Sequence, residues 1–274
     1  MIMIEVGGVA VPALGLGTWP MKGEECAAAV ASALRLGYRH VDTATFYQNE
    51  DAVGEGLRRS GLPRDQVFVT TKVWHTDLDR TALAASAEAS LRRLGTDHVD
   101  LLLIHWPSEA VPLAESLGAL LAVKRAGKAR LVGVSNFPRR YLRQAIAQLG
   151  PDLACLQVEY HPRLDQAPLL QAIRAHGGFL TAYSPLLHGK LSNHPVLGAI
   201  AASHGRTVAQ VVLRWLVQQD RVAAIPKAAS AARQAENLAI FDFALSADEM
   251  ARIHGLADGH RAVGAPWPLD WDAV

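Results

Sequence analysis

Four residues in the first half of the chain have the types needed for acid–base chemistry. The stretch HVDTATFYQNE (40–50) ends an apolar run on a carboxylate, Asp42, and places a phenol, Tyr47, five residues later. A carboxylate buried at a strand end needs a cation or hydrogen-bond donors. Asp42 therefore requires a partner from elsewhere in the chain. Tyr47 either covers surface or stands at the mouth of a site as a proton donor. Lys72 follows the apolar run VFVTT (67–71) and His105 follows VDLLLI (99–104), so an ammonium and an imidazole hold the same relative position as Asp42. A strand-end lysine commonly carries its charge out to water. Only six lysines are present, however, and two of them, Lys72 and Lys227, close apolar runs. Polar residues ending three consecutive runs point to convergence.

The elements that would position them recur along the chain. Apolar runs YRHV (38–41), VFVTT, VDLLLI, RLVGV (130–134), LQV (156–158), FLTAY (179–183), VAAI (222–225) and, more weakly, AIFDF (239–243) are short and rich in Val, Ile and Leu. They read as strands of a parallel sheet covered on both faces. Ala- and Leu-rich helical stretches separate them at 24–37, 81–95, 113–128 and 207–220, several ending at Gly or a basic residue. Eight β-α units of about 30 residues predict an α/β fold, a closed (β/α)₈ TIM barrel, as a single domain over residues 1–274. Ahead of the first unit, Gly7-Gly8 between two short apolar runs predicts a β-hairpin, placed at the barrel bottom. In such a barrel the strand C-termini meet on one face. Asp42, Lys72 and His105 would converge there with Ser135-Asn136, Glu159, Tyr160, Ser184 and Lys227.

Other chemistries fit less well. GVSNF (133–137) starts like a nucleophile elbow but has Phe137 in place of the final glycine. GLGT (15–18) lacks the third glycine of a dinucleotide fingerprint and follows no βαβ unit. A Schiff base on Lys72 would need a neutral amine, whereas a neighbouring Asp42 keeps it charged. The histidines share no metal-ligand spacing, and no metal is expected. Lys+Arg 27 against Asp+Glu 26 gives no basic face for nucleic acid. Two distant cysteines fit a reducing cytoplasm, and no run approaches the ~20 apolar residues of a membrane span. A small-molecule partner is expected, with no exposed apolar stripe to suggest anything but a monomer.

Seven motifs in order, HVDTATFYQNE, VTTKVW, LLLIHWP, GVSNF, LQVEYHP, AYSPL and IPK…RQAENL…FDFALS, resemble those of aldo-keto reductases over nearly the whole chain. The short connections after His105 and Ser184 and the tail APWPLDWD are similar to bacterial 2,5-diketo-D-gluconate reductases, including those that also reduce methylglyoxal. The resemblance implies NADPH-dependent reduction of small aldehydes, ketones and dicarbonyls. Tyr47 would be the general acid, Lys72 and Asp42 its charge partners, and His105 the group orienting the carbonyl. An ammonium beside a phenol favours the phenolate, so Lys72 is expected to draw the Tyr47 pKa toward neutrality.

The resemblance also implies the binding residues. Ser135, Asn136 and Gln157 would hold the nicotinamide carboxamide, with Tyr183 stacked on the ring and Gly17, Thr18, Asp42, Ser184 and Leu186 alongside. Lys227 and Arg233 would take the 2′-phosphate, with Glu236 and Asn237 facing the adenine. Arg233, Glu236 and Asn237 share one helix face by their spacing. Ala228 stands where many relatives have a serine, so use of NADH is not excluded. Trp19, Trp74 and Trp106 would wall the substrate pocket with Tyr47 and His105; Trp267 and Trp271 either fold over the mouth or hang free. The alternative is a nucleotide-binding regulatory or structural homologue without turnover. The complete set Asp42, Tyr47, Lys72 and His105 favours an enzyme.

Overall fold

The computed structural model describes residues 1–271. The chain opens with an antiparallel hairpin, β1 (Met3–Val6) and β2 (Val9–Pro12). Gly7 and Gly8 both have positive φ, 54° and 74°, as a tight two-residue turn between twisted strands requires. Eight parallel strands follow: β3 (Leu16–Gly17), β4 (His40–Asp42), β5 (Phe68–Val73), β6 (Val99–Ile104), β7 (Ala129–Ser135), β8 (Leu153–Glu159), β9 (Phe179–Tyr183) and β10 (Val222–Ala224). Each pairs with its chain neighbours. The ring closes where β3 meets β10, through parallel bridges Leu14–Ala224 and Gly17–Lys227 and the bonds Gly15 N–H to Ala224 O (2.9 Å) and Gly17 N–H to Pro226 O (3.1 Å). The hairpin sits under the N-terminal ends of the strands. Gly7 approaches Leu131 in the first half of β7, and Arg221, just before β10, donates to Glu5 O.

The (β/α)₈ barrel with a basal hairpin is thus as expected, with one correction. AIFDF (239–243) is not a strand. It is a turn after the last barrel helix, and Ile240 is buried while Phe241 and Phe243 lie partly buried against the core. The eighth strand is the two-residue β3, which comes first in the chain. Its glycine is required by packing: a Cβ on Gly17 would lie 2.5 Å from Ile225 O across the closing seam.

The helices are α1 (Gly23–Leu36), α2 (Glu50–Ser60), α3 (Arg80–Leu94), α4 (Leu113–Arg125), α5 (Arg139–Leu149), α6 (Ala167–Ala175), α7 (Pro195–His204), α8 (Val208–Gln218), α9 (Ala231–Leu238) and α10 (Ala247–His254). Their ends carry local signals. Asp79 accepts the N–H groups of Thr81 and Ala82 to cap α3, which stops at Gly95 in the left-handed region. Thr207 with Gln210, and Ser246 with Glu249, form capping boxes on α8 and α10. Strands β5, β6 and β8 are buried on both faces, as is β7 apart from Arg130, which explains why their apolar residues do not alternate with exposed polar ones.

At the barrel bottom, Asp100 on β6 is 2 % exposed and binds three partners. Arg64 and Arg130 each donate to it at 2.8 Å, and the Val69 N–H at 2.9 Å. This cluster ties the feet of β5, β6 and β7 together.

Candidate active site

Asp42 pairs in register with Thr70, and Lys72, two residues further along β5, falls on the same face. Its ammonium reaches back over Asp42 at 2.5 Å and also donates to Thr43 O at 2.8 Å. Lys72 is wholly buried and Asp42 nearly so, and Gln157 on β8 donates to the second carboxylate oxygen at 2.8 Å. Burial disfavours the charged lysine. The Asp42 carboxylate and the Tyr47 hydroxyl together more than offset it, so the Lys72 pKa lies above the ordinary lysine value.

Tyr47 ends a 3-10 turn, Thr45–Tyr47, and its hydroxyl lies 3.3 Å from Lys72 Nζ. The turn is held from several sides. Thr45 Oγ1 donates to Lys72 O at 3.0 Å, and Lys22 Nζ to Tyr47 O at 2.6 Å. Asn49, fully buried, accepts from Thr43 Oγ1 and donates to Thr18 O and Met21 O (2.6, 3.3 and 2.9 Å). It joins the loop after β3 to the loop after β4. Asn49 lies inside the motif that identifies Tyr47, but an Asn before a helix reads as a turn residue and draws no attention.

The expected direction of the Tyr47 shift is corrected. Burial raises its pKa, and the pull of Lys72 offsets only part of the rise. The phenol is therefore firmly protonated at neutral pH. His105 follows β6 and is 7 % exposed. Burial, then the nearby Lys72 charge, push its pKa well below the ordinary histidine value, so the ring is neutral. Its Nδ1 is sealed without a partner. Its ring packs edge-on against Tyr47 and Trp74, with centroids 5.6 and 5.1 Å away.

These groups open onto a cavity of about 1190 Å³ at the C-terminal ends of the strands. It exceeds the ~300–1,000 Å³ typical of one small-molecule site, so it has room for more than a small substrate alone. Tyr47, His105, Trp19, Trp74 and Trp106 line it, as do Gly17, Thr18, Asp42, Asn136, Gln157, Tyr183, Ser184 and Leu186. So do Lys227, Arg233, Glu236 and Asn237. Two predicted residues do not line it: Lys72, wholly buried behind Asp42 and Tyr47, and Ser135. Ser135 is fully buried, accepting from Asn136 Nδ2 at 3.1 Å. Asn136 also donates to His105 O (3.0 Å) and accepts from the Tyr183 hydroxyl (2.7 Å), which fixes the Tyr183 ring at the cavity wall. Asn136 and Ser184 both have positive φ, 61° and 47°, a local strain that clusters at functional sites. Lys227 and Arg233 are exposed, Ala228 is buried, and Glu236 accepts from Thr207 Oγ1 at 2.7 Å.

Some lining residues escaped the sequence reading. Phe46 stacks between Trp19 and Trp74, at 5.6 and 4.0 Å, and its place beside Tyr47 was the available clue. Thr207, Val208 and the 188–192 segment line the cavity too. The tail folds over the mouth. Val263, Gly264 and Pro266 line it, Trp267 packs on His75 (4.7 Å), and Trp271 on Trp106 (6.1 Å).

A family profile described as "Aldo/keto reductase family" matches residues 13–258. The chain belongs to this family. Membership makes it an oxidoreductase of carbonyl groups that uses a nicotinamide cofactor. A solved "putative 2,5-diketo-D-gluconic acid reductase B" is 48% identical, with a TM-score of 0.95 over 99% of this chain and 98% of its own. An aldo-keto reductase of Mycolicibacterium smegmatis is 44% identical over 92% of this chain and 89% of its own length. An aldo-keto reductase of Bombyx mori solved with NADP is 30% identical, with a TM-score of 0.90 over 96% of this chain and 95% of its own. Among the described residues no single helix is long and apolar enough to cross a membrane.

Proposed function

We propose that this aldo-keto reductase reduces small aldehydes, ketones and dicarbonyls of the 2,5-diketo-D-gluconate or methylglyoxal type with NADPH, and that Tyr47 is its proton donor. One observation carries the assignment: the Tyr47 hydroxyl meets a fully buried, carboxylate-locked ammonium at the cavity wall, with a neutral imidazole beside it.

The residues fit the cofactor. Lys227 and Arg233 offer exposed charge for a 2′-phosphate at one end of the cavity, and Arg can bind it in a bidentate manner. Asn136 and Gln157 offer amides to the carboxamide, and Tyr183 a flat face to the ring. When bound, NADPH supplies the hydride that adds to the carbonyl carbon. Tyr47 gives its proton to the carbonyl oxygen in the same event. Lys72 stabilises the phenolate that remains, and Asp42 keeps Lys72 charged in a buried setting. His105, with its proton on Nε2, donates to the carbonyl oxygen and aligns it toward Tyr47. A substrate seated against Phe46 and the indoles of Trp19, Trp74 and Trp106 would displace water from them, which strengthens each of these contacts.

The decisive assay follows NADPH absorbance after methylglyoxal is added, comparing the parent with Tyr47→Phe. Consumption by the parent and its near loss in the variant support both parts. A parent that binds NADPH yet is inert with methylglyoxal and with 2,5-diketo-D-gluconate overturns the substrate class and favours a cofactor-binding regulatory protein.

A further inference from the structure

Glu159 ends β8, two residues after the inward-facing Gln157, yet its carboxylate does not join the Lys72 cluster. It is fully buried. Its Oε1 accepts the Ala262 N–H at 2.8 Å and lies 3.0 Å from His161 Nε2, while its Oε2 accepts the Val263 N–H at 3.1 Å. A buried carboxylate with backbone donors on both oxygens makes charge-assisted bonds of the strong kind. Those donors belong to the tail, not to the barrel.

Nearby contacts hold the same segment. The N–H groups of Asp258 and His260 donate to Arg163 O at 3.2 and 3.1 Å, and the Arg163 side chain pairs with Asp258. Immediately after the two residues bound by Glu159, Gly264 and Pro266 line the cavity and Trp267 lies against His75 and Trp106. The Arg261 guanidinium lies 3.8 Å from the Trp271 ring. Backbone from 258 to 271 has no helix or strand of its own, so its place depends on such point contacts.

We propose that Glu159 is a positioning residue for the carbonyl pocket: from the end of β8 its carboxylate clamps the tail across the cavity mouth and sets the wall that substrate meets. The pocket's identity rests on the reductase reading; the clamp does not. Glu159 takes no part in proton transfer, because it faces the tail and Tyr47 faces Lys72. Its loss therefore acts on substrate capture and leaves the chemical step alone.

Limited trypsin digestion of the native full chain tests the clamp without using activity, since Arg261 precedes Ala262 at the clamped site. Glu159→Gln keeps the shape but turns an amide donor toward one of the two N–H groups. It should speed cleavage after Arg261 about tenfold, as the loss of strong hydrogen bonds on a local opening predicts, with cleavage inside the barrel unchanged. Val263→Pro removes one of the two donors without touching the barrel, leaves the Arg261–Ala262 bond open to trypsin and should move the same cut in the same direction. In turnover, Glu159→Gln should raise KM for methylglyoxal by a similar factor, with kcat and the NADPH Kd within about twofold of the parent. Unchanged tail cleavage with unchanged KM overturns the proposal, as does faster cleavage throughout the chain, which would make Glu159 a barrel support only. Faster tail cleavage in a protein whose parent shows no carbonyl turnover keeps the clamp and rejects the reductase reading.

Discussion

Two carboxylates are buried at opposite ends of this barrel, and each is matched to cations from the strand segments around it. At the bottom, Asp100 meets Arg64 and Arg130, whose side chains remain 24% and 44% exposed. Both Asp100 oxygens are bonded, and none of the three residues lines the cavity at the top. At the top, Asp42 meets a single lysine with no exposure, and that lysine has a proton left for a phenol facing open space. Both clusters need a buried charge to be paired. Only the upper one keeps an ionisable group in reserve. In a β/α barrel the bottom cluster is expected to serve stability and the top one chemistry, and substitutions at the two sites can separate these roles.

The largest effect is expected at the top. Tyr47→Phe should lower kcat for carbonyl reduction by about 10²–10⁴, the usual worth of a placed general acid, while the thermal midpoint moves by at most a few degrees. A variant with full activity would remove the contrast altogether. Asp100→Asn should do the reverse. Unpairing two arginines from one buried carboxylate should cost about 3 kcal/mol of stability, read as a lower urea midpoint, with kcat/KM per folded molecule unchanged.

Smaller still is Arg233→Ala. Losing one charge-assisted contact should weaken NADPH binding by about tenfold, near 1.4 kcal/mol, leave NADH binding nearly unchanged and flatten the salt dependence. Equal losses for both nucleotides in a titration would rule out contact with a 2′-phosphate.

The smallest effect is an absence of slope. Reduction needs Tyr47 protonated, and its pKa is raised above the ordinary 10.0. Lys72, raised above 10.5, stays charged over the same range. His105, depressed below 6.5, stays neutral above that pH. The kcat/KM profile should therefore be level from about pH 6.5 to 10 and fall only above it. A fall centred near pH 7 to 8 would mean that Lys72, and not burial, governs the phenol.

Legibility followed the kind of atom that does the work. Asp42, Lys72 and His105 were readable because each is a polar side chain ending an apolar run, and a barrel brings run ends together. The stub strand Leu16–Gly17 was not, since two residues carry no periodicity and its pairing needs only backbone and a missing Cβ. The run 239–243 passed for a strand because its apolar residues do pack, but beneath α8, where Gln210 and Arg214 bind the carbonyls of Ala239 and Ile240. Glu159 stood out as a strand-end residue, yet its partners are the N–H groups of Ala262 and Val263, which no side-chain pattern announces. Ser135 suited a ligand contact by type and place; what the sequence did not announce is that its hydroxyl is fully buried and accepts from Asn136.

The seam between β3 and β10 has one more implication. It is where the earliest and latest strands of the ring meet, and it is short. Gly17 and Thr18 on one side, and Ile225, Pro226 and Lys227 on the other, all face the cavity. A dinucleotide lying there spans the join like a buckle across the two ends of a belt. Loading the cavity should therefore hold the barrel shut, delaying thermal opening of the join in proportion to the logarithm of ligand concentration.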